Sequence, residues 1–264
     1  MKKVTTMFLV FFAAFASFAA EVKPIKVLMI TGGGWHDYKT QAPLLKKTIE
    51  SQVNAEVTIK WTSTDEHPVK PSENKLPEVF KGDFCKGYDV VFHNHCQVKF
   101  EDDDAIDKVI DNHVKNKVGV IMTHGSFHTW FRTKREAWDR LCGVNSIRHY
   151  HKSAIKVEVT DKTHPVMKAL GVDGWETKEG ELYQTKLNPT TKSLAKGTTL
   201  KGKAFTEDCI FSHTEEGLKM FGTTLGHHNS TMEQAIYQKM MAYAVLWSAG
   251  KLDKDGKAAV GYLK

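Results

Sequence analysis

The four cysteines of this 264-residue chain, Cys85, Cys96, Cys142 and Cys209, include no CxxC pair. Their spacing excludes a thioredoxin-type redox motif and a zinc ribbon. In an oxidising compartment they allow disulfides in more than one connectivity, and spacing does not choose among these. HExxH, GxGxxG and GK[ST] are missing too. The chain therefore has neither the helix-borne zinc motif nor a dinucleotide or P-loop phosphate cradle, and no nucleotide cofactor is expected. "TGGGWHDY" (31–38) reads instead as a sharp backbone turn at the edge of a crevice. GxSxG is also absent. After the apolar run "VGVIM" (118–122) come Thr123, His124, Gly125 and Ser126, with no cysteine in the turn and no nucleophile-elbow motif around the serine. Cysteine-based amide hydrolysis is disfavoured accordingly.

Long apolar runs are missing beyond the first twenty residues. "MKKVTTMFLVFFAAFASFAA" has a basic start, an apolar stretch from Met7 to Ala16, and small residues at Ser17, Ala19 and Ala20. This is the pattern of a secretory signal peptide cleaved near Ala19 or Ala20, and it falls short of the roughly 18 apolar residues of an anchor. The reading is residues 1–20 as signal, a periplasmic or extracellular mature protein, and no stable membrane insertion after cleavage. Loss of Lys2 and Lys3 lowers the formal charge from +6 by two, to +4. The remaining basic residues, such as Lys46, Lys47, Lys115 and Lys117, are scattered and not interleaved with aromatics, so a nucleic-acid partner is not expected.

What is present is an alternation of strand and helix patterns. "IKVLMI" (25–30), "AEVTIKW" (55–61), "YDVVFHNH" (88–95), 118–122, "AIKVEVT" (154–160) and "GLKMFGTTL" (217–225) read as strands. Helical spacing runs over 41–53, 101–117, 134–142 and 231–250. The 101–117 segment has an acidic start, a lysine-rich end and one apolar stripe of Ile106, Val109, Ile110 and Val114. Residues 62–82 and 161–200 read as loop-rich, and 251–264 as a frayed tail. The expected fold is α/β, a single domain over 21–250 with a mostly parallel central sheet.

Thirteen histidines are the chemistry-bearing excess. In an open parallel sheet the ligand crevice lies outside the carboxyl ends of the strands. Seven histidines fall there: His36 after the first strand, His93 and His95 ending the third, His124 and His128 after the fourth, and His227 and His228 after the late strand. A single loop histidine is ordinarily a hydrogen-bonding surface group, and His67, His113, His164 and His213 are read that way. The coincidence of the other seven on one rim points to a site. Imidazoles clustered with a carboxylate bind a divalent metal, zinc or manganese, or move protons near neutral pH.

Four stretches carry a family resemblance: "VGVIMTHGSFHTW", "RHYHKSAIKVEVTDKTHPVMKAL", "ELY" at Glu181–Tyr183, and "FGTTLGHH" before a Trp-containing helix. Together they resemble the ThuA-like (trehalose utilisation) family over roughly residues 25–250. The resemblance implies a flavodoxin-like three-layer sandwich, like the class I glutamine amidotransferases but without their catalytic cysteine. It also implies a role in the use of trehalose and related glucosides, including 3-keto sugars. Family positions fall on His36, His124, His151, Gly180–Tyr183 and Gly226–His227. The chain departs from the pattern at Gly180, where the motif has aspartate, at His228, an ordinarily acidic position, and at Phe211, ordinarily tryptophan. Glu181 remains as the carboxylate of that motif.

The expected site therefore has Glu181 and His124 as acid–base groups, with His36, His124 and His227 as metal ligands. Trp35, His95, His128, Trp130, His151, Tyr183 and His228 would contact substrate, with Trp35, Trp130 and Tyr183 able to stack on a sugar ring. The expected partner is a small sugar or glycoside. A non-catalytic carbohydrate-binding or accessory protein fits the same residues, as does a protein whose histidines serve only loop structure.

Overall fold

In the computed structural model, residues 22–62, 75–133 and 137–264 are described. The expected signal peptide, His67 and the start of the 134–142 helix lie outside them. Five parallel strands form the heart of the sheet: β1 (Ile25–Gly33), β2 (Ala55–Trp61), β3 (Val90–Cys96), β4 (Gly119–Thr123) and β11 (Leu218–Thr223). Their spatial order is β2-β1-β3-β4-β11, the flavodoxin-like order in which a crevice opens where the winding reverses.

The two faces of these strands explain the layers. Val27, Met29, Phe92, Ile121 and Phe221 point to one side. There they pack on α1 (Tyr38–Gln52), α4 (Pro165–Leu170) and α6 (Ala235–Ser248). Leu28, Ile30, Val91, Val120 and Met122 point to the other, against α2 (Asp103–Asn116) and α3 (Ala137–Cys142). Strands covered on both faces read as continuous apolar runs, which is why their sequence signal is clear. The expected dipole complementarity of α2 is present: Asp102 caps it by accepting from Ala105 N at 3.0 Å, Asp103 and Asp104 follow, and Lys117 closes it in a left-handed conformation.

Residues 161–200 depart from the loop-rich expectation. Besides α4 they hold β7 (Gly174–Glu176), β8 (Tyr183–Leu187) and β9 (Thr191–Thr199). With β6 (Ile155–Val159) and β10 (Thr206–Glu215), β9 and β7 extend the sheet antiparallel beyond β11, in the order β10-β9-β6-β7. β9 is half exposed and rich in Thr and Lys, and β7 is only three residues long, so neither carries the apolar run that betrays a buried strand. β5 (Val144–His149) pairs with β8 in a separate two-stranded ribbon near the rim. A short α5 (Asn229–Met232) precedes α6, splitting the segment expected as one helix.

The tail also differs from the expectation of fraying. Asn54 N donates to Tyr262 O at 2.8 Å and Lys264 N to Gln52 O at 2.9 Å, so residues 251–264 fold back onto the end of α1. All four cysteines are buried and none is bridged. No described helix is long and apolar enough to cross a membrane.

Candidate functional site

Three strand ends meet at the rim. β1 runs into Gly32 and Gly33, whose φ values of 120° and 103° suit only glycine; a Cβ on Gly33 would lie 2.1 Å from Cys96 O. This turn delivers Trp35 and His36 just ahead of Asp37, which caps α1 by accepting from Thr40 N. After β4, His124 is held at φ 34°, a conformation rare for a residue with a Cβ. The following Gly125 lets His36 approach, since a Cβ there would meet the His36 ring and Tyr38 Oη at 2.9 Å. After β11, Gly226 turns the chain and presents His227.

The imidazoles of His36, His124 and His227 converge, with one ligand-capable atom of each within 4.8 Å of the others. Carbonyl oxygens only accept, and this assigns the ring protons. His124 Nδ1–H donates to Thr224 O at 2.6 Å, and His36 Nδ1–H to Gly34 O at 3.0 Å, with Tyr38 Oη at 2.9 Å from the same nitrogen. Each ring therefore has Nε2 as its acceptor, and that of His124 also lies 3.1 Å from the Tyr183 hydroxyl, which donates to it. His227 Nδ1 lies 3.1 Å from His124 Nε2 and 3.1 Å from Glu181 Oε2. Three atoms able to accept thus face one gap, and a proton on His227 Nδ1 satisfies them through its hydrogen bond to Glu181.

Glu181 is buried in the loop before β8. Burial pushes its carboxyl up, but the hydrogen bond from His227 and the nearby imidazoles outweigh this and hold it below the usual carboxylate range. His36 is driven down to about 3, by burial first and by His227 second, with Glu181 opposing. His124, wholly buried, is likewise held well below the ordinary value, by burial first and by His36 and His227 next. His36 and His124 are therefore neutral imidazoles beside a carboxylate, the protonation state in which such groups bind a metal.

A cavity of about 450 Å³ opens in front of these groups. His36, His227, Glu181, Trp35, His128 and Tyr183 all line it. His128 lies flat on Tyr183 with ring centroids 3.7 Å apart, donor or acceptor to Ser146 Oγ at 3.2 Å, and is lowered to about 3, chiefly by burial. Tyr183 Oη sits 3.1 Å from His124 Nε2, and burial raises its phenol well above the usual value. Trp35, half exposed and at φ 70°, stands at the mouth.

Five residues expected at the rim or in the site lie elsewhere. His95 and His93 point from β3 into the core on the α2 side, because residues two apart on a strand share a face, and that face is covered. Trp130 is fully buried, packed 4.7 Å from Trp138, and offers no face to a sugar. His151 is exposed and bonds Lys201 O beside Phe205. His228 meets the His227 ring edge-on and faces Glu179 at 3.7 Å, outside the cavity lining.

Sequence reasoning missed His149, Tyr38, Arg132 and Lys152. His149 Nδ1–H donates to Tyr150 O, leaving Nε2 3.8 Å from Glu181 Oε2. It ends β5 directly opposite Tyr183, so the pairing of those strands was the signal that would have preferred it to His151.

A family model for ThuA, trehalose utilisation, matches residues 26–248. The chain belongs to the ThuA family. Crystal structures of ThuA-like proteins from Parabacteroides merdae and Bacteroides uniformis are similar to it, with TM-scores of 0.67 and 0.59. Their sequence identities are 19% and 15%; the alignments cover 92% and 93% of this chain and 97% and 98% of theirs. Agd3, a carbohydrate deacetylase, aligns at a TM-score of 0.52 and 9% identity, over 88% of this chain but 33% of its own. At such identities the likeness is one of fold. No curated protein matches the sequence. In this ThuA-family chain the rim cluster, not the fold, must carry any argument about chemistry.

Proposed function

We propose that this ThuA-family protein is a sugar-active enzyme of carbohydrate metabolism, acting on trehalose-type glucosides or their 3-keto derivatives at the histidine rim. The observation that carries the reading is the convergence of three imidazole lone pairs and one carboxylate on a single gap beside a cavity of sugar-ring dimensions.

The donor set fits a divalent metal, zinc or manganese. Three neutral histidines with an open position are a familiar catalytic set, and two nitrogens on one tetrahedral zinc lie ~3.3 Å apart. His124 Nε2 and His227 Nδ1 are already 3.1 Å apart. The carbonyls of Thr224 and Gly34 orient His124 and His36 from behind, the support metal-binding imidazoles ordinarily have. Such an ion supplies Lewis acidity toward a sugar hydroxyl or carbonyl oxygen.

The remaining steps belong to the chain. Glu181, held as a carboxylate, accepts a proton from the sugar, and His149 Nε2 stands beside it to share that proton. Trp35 supplies an exposed aromatic face at the mouth, and the His128–Tyr183 stack forms a flat wall. The same proposal places the mature protein outside the cytoplasm, after cleavage near Ala20.

The test is turnover of trehalose, methyl glucosides and their 3-keto forms, followed by NMR, for wild type and Glu181→Gln. Loss of turnover with saccharide binding retained supports the reading. Binding without turnover in wild type would assign a non-catalytic carbohydrate-binding protein instead. Turnover unchanged in Glu181→Gln would overturn the role given to the carboxylate.

A further inference from the structure

The cavity in front of the histidines has an unequal charge lining. Its one carboxylate, Glu181, is already engaged by His227 and faced by His149. Two cations, Arg132 and Lys152, line it as well, and both are exposed at its edge. Some surface cations are paired, as Lys46 with Glu50 and Arg140 with Asp107 and Glu216, and others are not; what sets Arg132 and Lys152 apart is their place on the wall of this cavity. Among the described residues neither Arg132 nor Lys152 has an ion-pair partner. Arg132 has only the Phe131 ring beneath it, 5.7 Å from the guanidinium carbon.

Two unmatched cations at the mouth of a cavity focus an anion into it. A guanidinium is also a planar fork that pairs with a carboxylate through two parallel hydrogen bonds, which adds orientation to attraction. On the reading above, that this cavity takes a glycoside, we infer that its preferred glycoside is an acidic relative of the neutral glucosides named there: a sugar bearing a carboxylate, held at the outer end by Arg132 and Lys152 while its other end meets the histidines. The neutral face of the ring rests against Trp35 and the His128–Tyr183 wall, which carry no charge to oppose it.

The test is calorimetric binding of matched pairs to the purified mature chain: methyl glucuronide against methyl glucoside, and methyl galacturonide against methyl galactoside. Each pair differs only in carboxylate against hydroxymethyl. Wild type is expected to bind the acidic member of one pair about tenfold more tightly, the gain of a charge-assisted contact. That preference should shrink on raising ionic strength and vanish in Arg132→Gln/Lys152→Gln, whose affinity for the neutral member stays unchanged. Both side chains are exposed, so the variant folds.

Equal affinity within both pairs would overturn the inference and leave the saccharide reading intact. A preference that survives the double variant would also overturn it, since the carboxylate would then be held at the histidines. Binding of no member of either pair would overturn the saccharide reading, and this inference with it.

Discussion

The chain holds two histidine trios a short distance apart, and they are built in opposite ways. In the core, His113 Nδ1–H donates to Val109 O at 2.7 Å, so its Nε2 accepts. His93 Nε2 then donates to it at 3.0 Å, and His93 Nδ1 accepts from His95 Nε2 at 2.9 Å. His95 Nδ1 is left to accept from Thr129 Oγ1 at 3.3 Å. One carbonyl thus sets the tautomers of the whole chain, and every ring nitrogen is used. At the rim, His36 and His124 each spend one nitrogen on a carbonyl and keep the other, and these lone pairs meet His227 and Glu181. His36 and His124 at the rim are lowered by burial as the core rings are, so a lowered proton affinity alone does not tell the two groups apart. The core nitrogens close on one another in a chain, whereas those of the rim converge on one gap beside a cavity, and this does.

That contrast can be broken most sharply at the rim. His124→Ala/His227→Ala should abolish stoichiometric metal and lower turnover by more than about a hundredfold, read by elemental analysis and NMR assay. Glu181→Gln should lower turnover by ~10²–10⁴ while metal stays bound, separating proton transfer from metal holding. Metal loss in that variant would make Glu181 a ligand instead.

In the core, His113→Phe leaves His93 Nε2–H without its acceptor and should cost about 1–3 kcal/mol in urea unfolding. Turnover per folded molecule and metal content should stay at the wild-type level. The same trio sets a pH dependence. Burial, before any other cause, holds His95 down to about 3 and His113 to about 4, against 6.5 for an ordinary histidine. The unfolded chain therefore takes up protons first as pH falls. The stability from these neutral rings is fully present above about 6.5 and drains away as pH falls toward 4. Urea midpoints measured across that range should show the decline, and His113→Phe should make it shallower. The smallest effect is reserved for His151→Ala, expected within about 0.5 kcal/mol of wild type and with unaltered saccharide binding.

The two trios also mark how far the sequence could be read. Both lie at the end of apolar strand runs, and position alone put His93 and His95 on the rim with His124 and His227. Strand geometry separates them: residues 93 and 95 share the face that α2 covers, and no sequence pattern announced that His113, on α2, would complete a chain with them. The rim ligands were legible because they follow strand ends after glycines, where a parallel sheet opens. His149 was not, because its place depends on which residue of β5 faces Tyr183, and a register shift in that ribbon decides it. The parallel strands were found by their continuous apolar runs. Of the antiparallel extension only β6 was, by its alternating run at 154–160; β9, half-exposed and Thr- and Lys-containing, resembles a loop. Family resemblance placed Glu181 and Tyr183 in the site, where no local pattern would have done so.

The central claim is that the rim trio, and not the core trio, is built to hold a metal ion. Elemental analysis of the purified mature protein after incubation with zinc or manganese and removal of the excess tests it directly, on wild type, His124→Ala/His227→Ala and His113→Phe. The account predicts one equivalent in wild type and in His113→Phe, and none in the rim variant. Metal-free wild type, or an equivalent that persists in the rim variant, would contradict it.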